Sequence, residues 1–258
     1  MKAGLGASVG WRVFALGVVA MAVVNLALGT FDPGQPVPKT FPDRTLLAYA
    51  AAGFMLVAGA AVLWRRTAAW GAGALTAYLA LVVVVLMNGR VMLAHPTEYG
   101  AYSGAAEELA LAAGALIVYA KSAQIDPVLA ARLTRVGQVA FGVCAVLFGG
   151  AHFFYMNLTA PLVPKWLPPG QVFWGYATGV AHIAAGLAIL TGVRARLAAI
   201  LLTVMYASFT VLVHVPLLLS DPANHFYWTE NVLNLALIGV AWIMADSLAG
   251  ARADESLK

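Results

Sequence analysis

The sequence predicts an all-α membrane protein with eight transmembrane helices, arranged as two parallel four-helix bundle repeats with both termini cytoplasmic. Three observations predict this fold class: the composition, the long apolar runs and an internal repeat. Hydrophobic residues make up 62% of the chain and charged residues only 10%, whereas a soluble domain has roughly 25% charged residues. Because so much apolar surface needs an apolar solvent, we expect the chain to lie in a lipid bilayer.

Eight apolar runs are long enough to span the hydrocarbon core of a bilayer. They lie near residues 9–30, 45–64, 69–93, 103–120, 137–156, 171–191, 195–219 and 228–248. Lipid cannot hydrogen-bond a polypeptide backbone, and these runs are too uniformly apolar for barrel strands, so we expect helices. The first run lacks a clear cleavage site and is interpreted as a retained helix, not a signal peptide.

The basic residues predict the orientation, because short loops rich in Lys and Arg remain cytoplasmic. The N-terminus, the even-numbered loops and the C-terminal tail hold Lys2, Arg12, Arg65, Arg66, Lys121, Arg132, Arg135, Arg194, Arg196, Arg252 and Lys258. The loops on the other side hold only Lys39, Arg44 and Lys165. The topology accounts for the net charge of +4. No continuous basic patch forms, so no nucleic-acid partner is expected.

An internal repeat appears at an offset of about 126 residues. Segment 37–42 matches 163–168, Gly53 matches Gly179, His95-Pro96 matches Asp221-Pro222, and Tyr102 matches Trp228. The chain therefore divides into a first four-helix repeat (1–120), a cytoplasmic linker (121–135) and a second four-helix repeat (136–258). Since each repeat has an even number of spans, the two copies are expected to be parallel.

The second repeat carries histidines that the first lacks. Opposite His152, His182 and His214 the first repeat has an aliphatic position near Ala27, then Leu56 and Asn88. We expect the three imidazoles to converge in the outer half of the second bundle, with His225 and Glu230 nearby. These five residues are candidate ligands for copper, zinc or iron. The alternative is structural hydrogen bonding or a metal-free polar pocket, because their spacing matches no metal motif.

Aromatic residues and one arginine suggest a binding site for a lipid-like molecule on the same side. Trp166, Trp174 and Tyr176 flank the outer loops, where they would line an entrance for a quinone or form an ordinary aromatic belt. The proline-rich segment 161–169 is rigid enough to cap the histidine region. Arg90 is expected either to pair with nearby glutamates, Glu98, Glu107 or Glu108, or to hold an anionic head group or substrate.

Four segments of the second repeat carry a family resemblance. They are Gly149–Phe153, Pro164–Pro168, Thr178–His182 and Gly186–Leu190. They resemble the DoxX-type four-helix membrane proteins, and helices one to four share the resemblance only through the repeat. His182 stands where that family often has an acidic residue. The resemblance implies a multi-pass protein of the inner (cytoplasmic) membrane, linked to quinone-coupled redox processes and to a redox partner protein.

Two hypotheses about function remain open at the sequence level. The chain is either a membrane oxidoreductase or its redox-associated subunit, with a histidine-lined metal or quinone site, or a noncatalytic scaffold, assembly partner or lipid-binding protein. The sequence does not decide whether the chain is catalytic by itself. A transporter is less favoured, because no matched Gly/Pro breaks occur in the two halves.

Overall fold

The computed structural model describes residues 9–249, which are helical without any strand in that range. Eight helices are long and apolar enough to cross a membrane, which confirms the predicted helices. They are α1 Gly10–Leu28, α2 Arg44–Val62, α3 Ala68–Ala94, α4 Tyr99–Ser122, α5 Pro127–Phe154, α6 Gln171–Thr191, α7 Ala195–Ser220 and α8 His225–Ser247. Three basic residues used for the orientation, Lys2, Arg252 and Lys258, lie outside the described residues.

Helix α5 begins at Pro127, well before the expected position 137. The Asp126 carboxylate accepts hydrogen bonds from the backbone N–H groups of Val128 and Leu129, and proline suits the first helical position. Hydropathy misses this start because Arg132 and Arg135 lie in the first turns. Only residues 123–126 therefore separate α4 from α5.

The contacts between the eight helices of the described chain form a closed cycle, and two of these helices also meet across its middle. Each helix contacts the next along the chain, α8 returns to pack against α1, and α4 and α8 also contact each other. These two helices are the most buried, with 67% of the α4 span and 61% of the α8 span inside the protein. Each half of the chain therefore packs around a helix that the other half also contacts.

Helices α5 and α6 approach closely because glycines face each other across their interface. A Cβ atom added to Gly186 would lie 2.6 Å from the Gly142 carbonyl oxygen, and one added to Gly149 would lie 2.6 Å from that of Gly179. Small residues at such positions let helix backbones pack tightly. This close packing brings the outer end of α5 against α6.

Both α3 and α7 contain a π-helical segment, Tyr78–Asn88 and Thr210–His214 respectively. The two segments end at Asn88 and His214, which occupy matching positions in the sequence repeat. Segments of this kind are frequent at functional sites. In α7 the segment ends just before Pro216, which cannot donate a backbone hydrogen bond and so disturbs the helix.

Candidate functional site

A cavity of about 670 Å³ lies between α5, α6, α7 and α8, with one face of α4 on its inner side. Its lining includes the three histidines expected to converge, His152, His182 and His214, together with Glu230 and Trp174. Most of the remaining lining is apolar. The volume lies within the range of roughly 300–1,000 Å³ that is usual for small-molecule sites.

Hydrogen bonds orient two of the imidazoles. The His152 Nδ1 atom lies 3.0 Å from the Gly175 carbonyl oxygen, and the His182 Nδ1 atom lies 2.9 Å from that of Thr178. A carbonyl oxygen only accepts, so each Nδ1 carries the proton and donates it. Within residues 9–249, neither Nε2 atom has a hydrogen-bond partner. Each ring therefore keeps an Nε2 lone pair available for a ligand.

The backbone of α6 sets the position of these rings. The centroids of His152 and His182 are 5.2 Å apart. Gly179 lies beside the first ring, and a Cβ atom there would come 2.8 Å from the His152 Cβ atom. Gly179 thus provides the space in which His152 meets the first turns of α6.

Tyr206 and Asn234 form a second polar group on the cavity wall. The Tyr206 ring centroid lies 5.5 Å from that of His182, and its buried hydroxyl group has no hydrogen-bond partner among the described residues. Asn234 on α8 donates to the Tyr206 carbonyl oxygen (2.9 Å) and to the Thr210 hydroxyl group (2.7 Å). The tyrosine backbone is held in place while its hydroxyl group remains free to donate.

This polar group was not predicted, although the sequence contains a signal for it. Polar residues recur at every fourth position on three helices: 174, 178 and 182 on α6, 206, 210 and 214 on α7, and 230 and 234 on α8. Residues four apart share one helix face. Reading these series as polar faces would have added Thr178, Tyr206 and Asn234 to the candidate site.

Two carboxyl groups reach the cavity from the central helices. Glu107 on α4 and Glu230 on α8 both line it, and the described lining contains neither Lys nor Arg. His214 also lines the cavity, and its side chain forms no hydrogen bond within the described part of the chain. The polar wall therefore offers several acceptors but few donors.

The proline-rich segment covers part of this cavity. Val163, Pro164 and Leu167 belong to the lining. Two side chains from the first turn of α6 hold the segment: Trp174 Nε1 donates to the Pro168 carbonyl oxygen (2.9 Å) and Gln171 Nε2 donates to that of Val163 (2.6 Å). The connection between α5 and α6 is thus tied over the histidines.

Four candidate residues do not join the site. Trp166, Tyr176 and His225 are exposed and lie outside the cavity lining. Arg90 lies in a separate surface depression and donates to the Pro36 carbonyl oxygen at 2.8 Å.

The proposed pairing of Arg90 with a glutamate is wrong. Glu98 pairs with His95 instead, at 2.9 Å between Oε1 and Nδ1. Glu107 and Glu108 face the protein interior, where no arginine reaches them within the described chain.

The histidine cavity is not arranged as a metal centre. Among residues 9–249, no group of three or more His, Cys, Asp or Glu side chains is placed to hold a metal ion. The metal prediction for His152, His182, His214, His225 and Glu230 therefore has no ligand cluster to support it. An apolar cavity with a few oriented polar groups fits an organic molecule better.

Residues 9–249 thus contain eight apolar helices and a ligand-sized, histidine-lined cavity, most of whose lining belongs to the second half. A family model described as a domain of unknown function (DUF8561) matches residues 141–245. This match covers less than half of the chain, yet it contains the three cavity histidines. No curated protein and no solved structure matches the chain.

Proposed function

We propose that this chain is a multi-pass protein of the inner (cytoplasmic) membrane that binds a quinone or quinol in the histidine-lined cavity. Eight apolar helices support the membrane assignment. Basic residues at the α2–α3, α4–α5 and α6–α7 connections, including Arg65, Lys121 and Arg194, support a cytoplasmic position for that end of the helices. Both chain termini would then lie on the cytoplasmic side.

We also propose that the two halves are parallel repeats, and two matching contacts support this. The Tyr102 hydroxyl group donates to the Pro96 carbonyl oxygen at 3.0 Å, and the Trp228 Nε1 atom donates to that of Pro222 at the same distance. The donors and the acceptors both stand about 126 residues apart. The shared positions of α4 and α8 at the centre agree with a two-fold relation along the membrane normal.

One observation carries the ligand assignment: two imidazoles of one mostly apolar cavity have Nε2 atoms without a hydrogen-bond partner in the described chain. The Nε2 atoms of His152 and His182 can accept from the hydroxyl groups of a quinol. We infer that the Tyr206 hydroxyl group, which is buried in the cavity wall without a partner among the described residues, donates to a quinone carbonyl oxygen when the ligand is bound. A quinone and its quinol differ in this donor and acceptor pattern, and the cavity can serve both.

The resemblance to DoxX-type proteins supports a redox-associated role, in which the chain is the quinone-binding subunit for a redox partner protein. A second candidate function is binding of an ordinary lipid by a noncatalytic scaffold, which the mostly apolar lining favours. Lipid binding would depend on the cavity volume. Quinone binding would depend on the polar atoms.

The test is titration of the detergent-purified full chain with a short-chain ubiquinone analogue. Quenching of tryptophan fluorescence measures the binding. We expect His182→Leu, which introduces the residue found opposite in the first half, to weaken binding about tenfold or more, as loss of a buried hydrogen bond would. His152→Asn should weaken it similarly. The matched controls are His95→Asn and His225→Asn, since neither residue lines the cavity.

Equal affinity in all four variants would overturn the quinone assignment. Phospholipid that copurifies with wild type and with His182→Leu alike would favour the scaffold. Elemental analysis of the same samples tests the metal alternative, which requires a stoichiometric metal in wild type that is lost from the His152 and His182 variants.

A further inference from the structure

The interior of the first half is filled by a polar turn, Asp32–Gln35, from the connection between α1 and α2. The Gly34 N–H group donates to Asp32 Oδ1 (3.0 Å), and the Gly34 carbonyl oxygen accepts from Asn88 Nδ2 (2.9 Å). Gln35 accepts from the Tyr78 hydroxyl group at 3.1 Å. Asp32 and Gln35 are 3% and 2% exposed, so this turn is held deep between the helices.

The turn places one buried carboxyl group beside another. Glu108 on α4 is 0% exposed and packs against Gly34, where an added Cβ atom would collide with Glu108 Oε1. Both carboxyl oxygens of Glu108 and the Oδ2 atom of Asp32 are buried without a hydrogen-bond partner in the described structure. Three carboxyl oxygens are therefore unsatisfied in one place, where an unpaired polar group costs about 1–3 kcal/mol.

In the described part of the chain, no basic side chain forms an ion pair with either of these two groups. Two arginines that contact the same connection are engaged elsewhere: Arg44 donates to the Val37 carbonyl oxygen and Arg90 to that of Pro36. The other titratable groups facing the pair are Tyr78, Glu107 and Glu230, none of which is cationic.

Protonation alone does not account for this arrangement. A proton would remove charge, but a carboxylic acid still needs an acceptor for its hydroxyl group and a donor for its carbonyl oxygen. One proton shared between the two carboxyl groups would pair two of the three oxygens, but it would leave the third oxygen without a donor and one negative charge uncompensated. A bound hard cation would give all three oxygens a partner and would offset both negative charges.

We propose that Asp32 and Glu108 form a binding site for a hard divalent cation of the calcium type, inside the first half of the chain. Asp32 Oδ2 and both Glu108 oxygens supply carboxylate ligands, and Gln35 Oε1, which already accepts from Tyr78, lies on the same turn as a neutral oxygen ligand. Calcium takes oxygen ligands of these kinds. The cation would fix the turn to α4 and so hold the first half closed.

The second half supports the interpretation that this pair is not a packing requirement of the fold. At the offset of about 126 residues, the counterpart of Glu108 is Asn234. The Asn234 side chain is fully engaged as a donor, to Tyr206 and Thr210. In the second half this position thus holds a neutral amide whose N–H groups both have acceptors. In the first half it holds a carboxyl group without a compensating partner.

The test is equilibrium dialysis with radioactive calcium on the detergent-purified full chain after treatment with EDTA, alongside thermal unfolding. We expect one calcium ion per chain and a rise in Tm that saturates with calcium. Asp32→Asn keeps the oxygen that accepts from Gly34, and Glu108→Gln keeps the side-chain size; each should weaken calcium binding at least tenfold. Glu98→Gln is the matched control, because it neutralises an exposed carboxylate of the same half.

Calcium binding of equal strength in all four proteins would show nonspecific association and would overturn the site. A wild type that is stabilised at lower pH but is unaffected by calcium, magnesium or sodium would overturn it in favour of protons. If either variant fails to fold, Gly34→Ala provides a second test, since its methyl group displaces Glu108 without removing a charge. Unchanged calcium affinity in that variant also contradicts the proposal.

Discussion

The two halves of the molecule differ in how their outer connections meet the helices, although these connections carry the matched segments 37–42 and 163–168. In the first half, the turn Asp32–Gln35 enters between the helices and bonds to Asn88 and Tyr78. In the second half, the corresponding connection lies over the helices as a cover, and a cavity of about 670 Å³ remains beneath it. Two similar sets of helices therefore enclose either a filled interior or a cavity. The difference depends on whether the connection between the first two helices of each half enters the space between the helices.

Side-chain size in the helices agrees with this difference. Met55, which is fully buried and accepts from Gln35 Nε2 at 3.3 Å, fills the first half. Its counterpart at the offset of about 126 residues is Ala181, which lines the cavity. The neighbouring pair is Leu56 and His182. The smaller side chain at Ala181 thus opens space, and the change from Leu56 to His182 places an imidazole beside that space.

The largest effect on stability is expected from a change of pH, which acts on the buried Asp32 of the first half. Burial raises the pKa of Asp32 from 3.8 to about 6, against a backbone hydrogen bond from Gly34 that lowers it. The folded state therefore binds this proton more tightly than the unfolded state, so the stabilising effect is complete below about pH 4 and is lost as the pH rises through 6. The shift corresponds to about 3 kcal/mol.

Asp32→Asn tests this prediction in metal-free buffer by thermal unfolding between pH 4 and pH 7. The variant should match wild type near pH 4 and exceed it by several degrees in Tm near pH 7. His182→Leu, which changes only the open half, should leave this part of the pH profile unchanged. A wild type whose Tm rises between pH 4 and pH 6 relative to Asp32→Asn would contradict the assignment.

A smaller effect is expected at two matched glycines. An alanine methyl group at Gly179 would press on His152 Cβ at 2.8 Å and on Phe153 Cε2 at 3.0 Å, whereas one at Gly53 would meet nothing within 4 Å. We expect Gly179→Ala to destabilise the protein by about 1–3 kcal/mol through overpacking, and also to weaken quinone binding. Gly53→Ala should be neutral or stabilising by up to about 1 kcal/mol, because alanine favours helix.

Thermal unfolding of the two glycine variants measures this difference directly. Comparable Tm values for both would show that α5 and α6 can separate, and hence that the close packing does not position His152.

Two buried tyrosines should respond oppositely to loss of their hydroxyl groups. The Tyr78 hydroxyl group donates to Gln35, so Tyr78→Phe should cost about 1 kcal/mol of stability. The Tyr206 hydroxyl group is buried without a partner in the described chain, so Tyr206→Phe should be neutral or stabilising without ligand. Quinone affinity should fall in the second variant only.

Unfolding curves with and without the quinone analogue check both tyrosine variants. A destabilised Tyr206→Phe protein would mean that its hydroxyl group has a structural partner, such as a buried water molecule, and is not reserved for a ligand.

The sequence was sufficient for the helices and for part of the site. Span length follows from hydropathy, but the start of α5 depends on Asp126, whose capping role is local and polar. The convergence of His152, His182 and His214 was expected from their positions, near the outer ends of helices five and seven and around the middle of helix six. Asp32 and Glu108 were missed as a pair because nothing in the sequence shows that a turn from one connection enters the interior and meets α4.

The smallest effect is expected at the exposed start of α4 and α8, and it tests the repeat itself. Tyr102 and Trp228 each donate across one turn to the carbonyl oxygen of a proline, at 3.0 Å in both cases. Tyr102→Phe should lower stability by about 0.5 kcal/mol, since a partly exposed hydrogen bond contributes little, and Trp228→Phe by about 1 kcal/mol, since it also removes buried apolar area. Small losses of this kind in both variants would mean that both halves begin their last helix in the same way, despite their different interiors. A large loss in one variant alone would show that the two connections differ in more than the residues they insert.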